Sequence, residues 1–212
     1  MKKILFLWVL TILVSVPSSA QVLDNIDEIA PFNEGLAAVR KGNQWGFINE
    51  DGALVIDFRN DIYWNQKADT SKSDVLGTAY PVFNEGLCLI QQTVEDGVPI
   101  FGFIDKAGTI VIEPQFLNIY PFKNGYTTAV LFDKNFKGEN EFKLKIYEYK
   151  FFDVRVSKSG EITDYLKKRD HIQMTIKRYE MPDIGAKILA DDLVATYKNQ
   201  EGWSIEKLQV KN

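Results

Sequence analysis

The chain has 212 residues, 45% of them hydrophobic and 25% charged, with a formal net charge of −4 and a single cysteine. A mildly acidic chain with scattered lysines offers no electrostatic footprint for nucleic acid, and one cysteine excludes a disulfide within the chain. The length suits one domain or two small ones and is ample for a buried core.

Residues 1–20 read as a secretory signal peptide. Lys2 and Lys3 give a basic start, Ile4 to Val16 is an almost unbroken apolar run, and Ser18-Ser19-Ala20 offers the small residues signal peptidase needs. The run is shorter than the ~20 residues of a membrane span, so the expectation is cleavage after Ala20 rather than an uncleaved anchor. The mature chain then starts at Gln21, loses two lysines and no acid, and carries a formal charge of −6. No later stretch is long and apolar enough to span a membrane, so the expected location is periplasmic or extracellular.

Beyond the signal, the chain repeats itself. Phe-Asn-Glu-Gly-Leu occurs at 32–36 and again at 83–87. Each is followed by a short apolar strand, a turn, and then Trp45-Gly46-Phe47-Ile48 or Phe101-Gly102-Phe103-Ile104. Each copy turns again through Gly52 or Gly108 and ends on Leu54-Val55-Ile56 or Ile110-Val111-Ile112. A third copy opens at Phe122-Lys123-Asn124-Gly125-Tyr126, loses the Trp-Gly step, has a longer first hairpin with a polar loop near 135–140, and recovers a turn at Ser159-Gly160. A fourth trace lies at Leu193 to Ile205. The units run over about 29–58, 80–116 and 119–163, within a repeat region of 21–165. Residues 166–212 read as a β-rich capping segment or a degenerate fourth repeat.

Within one unit, β-prone runs separated by Gly42-Asn43 and Asp51-Gly52 make a three-stranded antiparallel meander. Gly35, Gly86 and Gly125 mark a sharp leading turn. Gly46 and Gly102, inside strands, mark a bulge or close backbone approach, with an aromatic ring expected over the bare backbone. One meander leaves an apolar face open, so neighbours must cover it. The fold class is therefore all-β: tandem meanders in a twisted, elongated array with an atypical carboxy-terminal cap. His171 to Tyr179 alternates like a half-buried strand, Ile184 to Leu193 suits one or two helical turns, and the tail from Trp203 looks extended.

The pattern Phe-x-Glu-Gly-Leu, Trp/Phe-Gly-Phe-Ile, glycine turn, Val-Ile resembles the WG repeat family. That resemblance implies tandem short strands in an exported bacterial protein. It implies no common activity, binding being the usual supposition.

No catalytic, cofactor or metal site is expected. Glu34 and Glu85 are equivalent carboxylates, readable as a glycosidase-like pair or cation ligands; recurrence favours a structural role, each accepting amides of its own turn. Asp51, Asp96 and Asp105 read as turn residues. Cys88, in Leu87-Cys88-Leu89-Ile90, reads as a buried hydrophobe, and His171, the sole imidazole, as an exposed or edge-strand residue. The strongest break in symmetry is the stretch from Trp64 to Ala79. Tyr63 and Trp64, followed by Asp69, Thr70 and Ser71, form a candidate sugar or peptide platform, against the alternative that both rings pack into the adjoining unit. The function expected is a non-catalytic binding or scaffolding protein of the cell envelope, its partner an unidentified envelope protein or glycan. The competing readings are a carboxylate-dependent hydrolase and an inhibitor or immunity-type partner.

Overall fold

The computed structural model describes residues 23–94 and 97–208. The expected signal peptide and Asp96 lie outside these residues. The described chain is all-β, in three antiparallel sheets with no closed barrel. The first sheet is β1 (Glu28–Ile29), β2 (Leu36–Lys41), β3 (Gln44–Asn49) and β4 (Leu54–Arg59), in chain order. The second has seven strands: β5 (Phe83–Asn84), β6 (Leu87–Thr93), β7 (Pro99–Asp105), β8 (Ile110–Ile119), β9 (Tyr126–Glu139), β10 (Lys145–Ser157) and β11 (Ile162–Lys168). The third is β12 (Ala186–Ala190), β13 (Leu193–Lys198) and β14 (Gly202–Lys207).

Every strand pairs with its sequence neighbour, as gaps of a few residues require. Register aligns the repeats, the second carrying one more residue in its bulge. Leu36 faces Asn49 across β2–β3, and Leu87 faces Asp105 across β6–β7. Trp45 opposite Arg59 corresponds to Phe101 opposite Phe116, and Phe47 opposite Ile56 to Phe103 opposite Ile112. Asp61 to Tyr63 bonds back to β6, Tyr63 N donating to Leu89 O at 3.0 Å, as Tyr120 N donates to Thr128 O at 3.1 Å. Tyr63 is thus the counterpart of Tyr120, and the insertion occupies 64–80.

The Trp-Gly step is a bulge seat. Between Trp45 and Phe47 the partner strand advances from Arg59 to Ile56, and between Phe101 and Phe103 from Phe116 to Ile112. The extra backbone folds over the glycine. A Cβ on Gly102 would lie 2.3 Å from Ile112 O and 2.6 Å from Pro114 N; one on Gly46 would lie 2.8 Å from Ile56 O. The expected aromatic cover is corrected: backbone lies over both glycines, and the Phe58 ring edge is only the third-nearest group to Gly46.

Three further expectations are corrected. Residues 171–180 form no strand: Ile172, Met174, Tyr179 and Ile184 pack on Val98, Ile100, Leu117, Val130 and Phe151, crossing one face of the seven-stranded sheet. The alternation marked anchors into that core, and the segment takes part in no strand pairing among the described residues. Residues 186–190 are strand rather than helix, because β13 supplies a partner, with Ala186 opposite Thr196. The third unit's hairpin stays paired through 139 and reverses at 140–144, where Asn140 Oδ1 accepts from Phe142 N and Leu144 N, both at 2.9 Å. The fourth trace does form a meander, β12–β13–β14, and the tail is extended over Gly202–Lys207.

Candidate functional site: the joints between units and the groove beside the insertion

Each leading turn takes positive φ at both central residues: Glu34 50° and Gly35 83°, Glu85 51° and Gly86 81°, Asn124 54° and Gly125 82°. This is the two-residue hairpin turn that favours Asn-Gly. No atom lies within 4 Å of a Cβ added to any of the three glycines, so conformation rather than space requires them. Glutamate is a poor residue for left-handed backbone, and the use of its carboxylate explains its presence. Glu34 accepts from Glu85 N at 2.7 Å and Gly86 N at 2.9 Å. Glu85 in turn accepts from Asn124 N and, at 2.8 Å, from Gly125 N. The expectation that each carboxylate caps its own turn is corrected: each clasps the turn of the following unit. A carboxylate spans two adjacent amides of a neighbour, whereas its own turn already closes by backbone bonds, as between Asn33 and Leu36. Asn124 returns to the residue the turn prefers, with no carboxylate to pass on.

Two other contacts repeat with this clasp. Phe83 meets Phe47 edge-on with centroids 4.8 Å apart, and Phe122 meets Phe103 likewise at 5.1 Å. The hairpin glycine of each following unit rests on the preceding isoleucine, Gly108 on Ile56 and Gly160 on Ile112. Around Glu34, burial pushes the carboxyl pKa up, but the Gly86 and Glu85 amides and the Lys106 ammonium together outweigh it, and the net shift is downward. Lys106 Nζ lies 3.2 Å from Glu34 Oε2 and donates to Glu34 O at 2.7 Å.

Of the other proposed turn residues, Asp105 accepts from Ala107 N and Thr109 N, both at 2.9 Å. In the first unit Asn49, not Asp51, has that role, accepting from Asp51 N and Ala53 N. Gly52 and Gly108 take φ of 79° and 80° in these turns.

The insertion is folded. Asn65 N donates to Thr78 O at 2.8 Å and Asp69 N to Leu76 O at 3.0 Å, closing its neck. Asp74 caps a single 3-10 turn, Val75–Gly77, and Val75 is buried in the main core. Asp74 Oδ2 also accepts from the buried Asn118 Nδ2 at 2.8 Å, and the same nitrogen donates to Pro182 O at 2.9 Å. One buried amide thereby joins the insertion, β8 and the segment before β12.

The structure separates the expected platform. Tyr63 packs edge-on against Phe101 at 4.9 Å, and burial pushes its phenol up to about 12, helped by Asp74. Trp64 packs edge-on against Trp45 at 5.7 Å and shares the Arg40 guanidinium with it. Both rings are half-buried. Asp69 Oδ1 accepts from Ser71 N and Ser71 Oγ, ordering the loop. Thr70 reaches a groove of about 410 Å³ whose walls include Lys72, Ser73, Tyr80, Asn84 and Tyr120. Beyond Ser73, Tyr120 and Pro121 it continues into a second groove of about 630 Å³, between β9 and β12. Asn118, Asp74 and Tyr80 join the site without standing out in the sequence as site residues. A signal existed for Asn118: it is an asparagine inside the apolar run Phe116-Leu117-Asn118-Ile119, and a buried amide needs partners.

Cys88 is buried, its thiol pushed up to about 12 by that burial, so it is no ready nucleophile. His171 is exposed, its ring 5.8 Å from Phe151. Among the described residues no group of three or more His, Cys, Asp or Glu is placed to hold a metal ion, and no helix is long and apolar enough to cross a membrane.

A family described as WG containing repeat matches the chain at residues 25–45, 45–67 and 101–134. The first two matches meet at Trp45, and the third runs from Phe101 through β8 into β9, so residues 68–100 lie outside them. No curated protein and no solved structure matches the chain.

Proposed function

We propose that this chain, a WG repeat protein, is a non-catalytic binding or scaffolding component of the bacterial cell envelope, exported by the signal at 1–20. The observation that carries the reading is the continuous groove between the insertion, the third leading turn and β12. Its rim combines Tyr80 and Tyr120 rings with Thr70, Ser73 and Asn84, the mixture of flat apolar and hydrogen-bonding surface that an extended peptide or glycan requires. The rim is preorganised, because the Asp74–Asn118–Pro182 network fixes the insertion before any ligand arrives. Glu34 and Glu85 speak against the hydrolase reading: both carboxylates are engaged by turn amides of a neighbouring unit.

The test uses the exposed rim residues. Thr70→Ala combined with Tyr80→Ala leaves the buried network untouched and should keep the urea midpoint of the parent. The double variant should lose at least tenfold in retention on immobilised peptidoglycan or on an envelope-protein fraction, whichever retains the parent chain. Undiminished retention by the folded variant would move the binding surface elsewhere.

A further inference from the structure

The contacts that join unit to unit are made twice and offered a third time. Register makes Ile29, Ile62 and Ile119 equivalent, facing Val39, Ile90 and Ala129 in turn. Ile62 and Ile119 are 4% and 1% exposed, whereas Ile29 is 65% exposed. Phe83 and Phe122 are 1% and 4% exposed under the preceding unit's phenylalanine, whereas Phe32 is 50% exposed. The amides of Glu85 and Gly86, and of Asn124 and Gly125, are held by a carboxylate. Those of Glu34 and Gly35, in the same turn with the same φ, have no carboxylate among the described residues. Residues 1–23 contain no acidic side chain to supply one.

We infer that the amino-terminal face of the first unit, formed by Ile29, Phe32 and the Glu34–Gly35 amides, is a docking site for the end unit of another WG-type chain. The occupant presents a turn carboxylate to the amide pair and an aromatic ring to Phe32, as Glu34 and Phe47 do for the second unit. A second copy of this chain is a poor occupant. Its Glu34 and Glu85 are already engaged, and its third leading turn carries Asn124 where the carboxylate is needed. This site is separate from the groove beside the insertion, so either can fail without the other.

Two experiments test it. In the first, a linear peptide of residues 28–49, carrying Glu34 and Phe47, is titrated into the ¹⁵N-labelled chain. The Glu34 and Gly35 amide resonances should move downfield, and a peptide with Glu34→Gln should bind at least tenfold more weakly. Phe32→Ala in the labelled chain should weaken binding similarly while leaving the urea midpoint unchanged. In the second, residues 23–63 are joined directly to Pro31 of a chain running from Pro31 to Asn212, as Tyr120 is joined to Pro121, so that Ile62 of the added copy takes the place of Ile29. Hydrogen exchange at Glu34 and Gly35 of the original unit should slow at least tenfold, and Glu34→Gln in the added copy should restore it. Unchanged exchange in the fused chain would overturn the site, and slowing in the fusion without peptide binding would overturn the role in joining separate chains. A dimer of the unmodified chain abolished by Phe32→Ala would give the site to a second copy and overturn the choice of partner.

Discussion

Replacing Glu34 by glutamine is the sharpest perturbation of the clasp between units. Size and backbone demand stay the same, so strain at φ 50° is common to both chains. The carboxylate accepts two amides at 2.7 and 2.9 Å and faces Lys106 at 3.2 Å. A glutamine keeps one acceptor oxygen and turns an NH₂ toward the second amide. The loss is one charge-assisted hydrogen bond, about 1.5–3 kcal/mol where buried. Because the Glu34 side chain is 29% exposed, water and screening recover part of that, and about 1 kcal/mol remains. With a urea slope of about 2 kcal/mol/M, the midpoint should fall by roughly 0.5 M at pH 7. The pH dependence has a definite sign. The folded-state pKa is held below the ordinary value of 4.5, so the stabilisation is complete above that value and is lost as pH falls through the folded one. The two chains should therefore converge in acid. Equal midpoints at pH 7, or a gap that persists in acid, would refute the clasp.

The seat under the bulge is tested by Gly102→Ala against Gly46→Ala. The first sets a methyl 2.3 Å from backbone, the second 2.8 Å, so chemical denaturation should show a loss of about 3 kcal/mol for Gly102 and a smaller one for Gly46. Cys88 should resist thiol-specific reagents at pH 8 in the native chain and react fully in denaturant, since burial both shields the thiol and keeps it protonated. Export predicts that the native protein begins at Gln21; mass spectrometry finding an intact cytoplasmic chain from Met1 would contradict it.

The repeats were legible because the same residues recur at matching offsets, and the strands, turns and leading glycines stand where Phe32, Trp45, Gly52 and their counterparts placed them. The packing of Tyr63 was one of the two readings the sequence left open, and the ring takes it, against Phe101 of the second unit. What the sequence hid was direction. A carboxylate repeated in the first two leading turns says that it is structural, but not whether it bonds within its own unit or to the next. Local pattern also misled after residue 165. Ile172 and Met174 alternate like a strand yet serve as anchors across a sheet face, and residues 186–190 became strand because β13 supplied the pairing. The insertion's fixed shape depends on Asp74 and Asn118, 44 positions apart, a contact no window along the chain contains.

The most direct measurement is residue-resolved amide hydrogen exchange across the three leading turns. They share the same turn type, with nearly equal dihedrals, so any difference between them comes from what lies outside the turn. The account predicts slow exchange at Glu85, Gly86, Asn124 and Gly125, which the carboxylates of Glu34 and Glu85 hold, and fast exchange at Glu34 and Gly35, which no carboxylate of the described residues holds. Equal rates in all three turns would mean that the carboxylates do not clasp the next unit, and that the units are joined by something else.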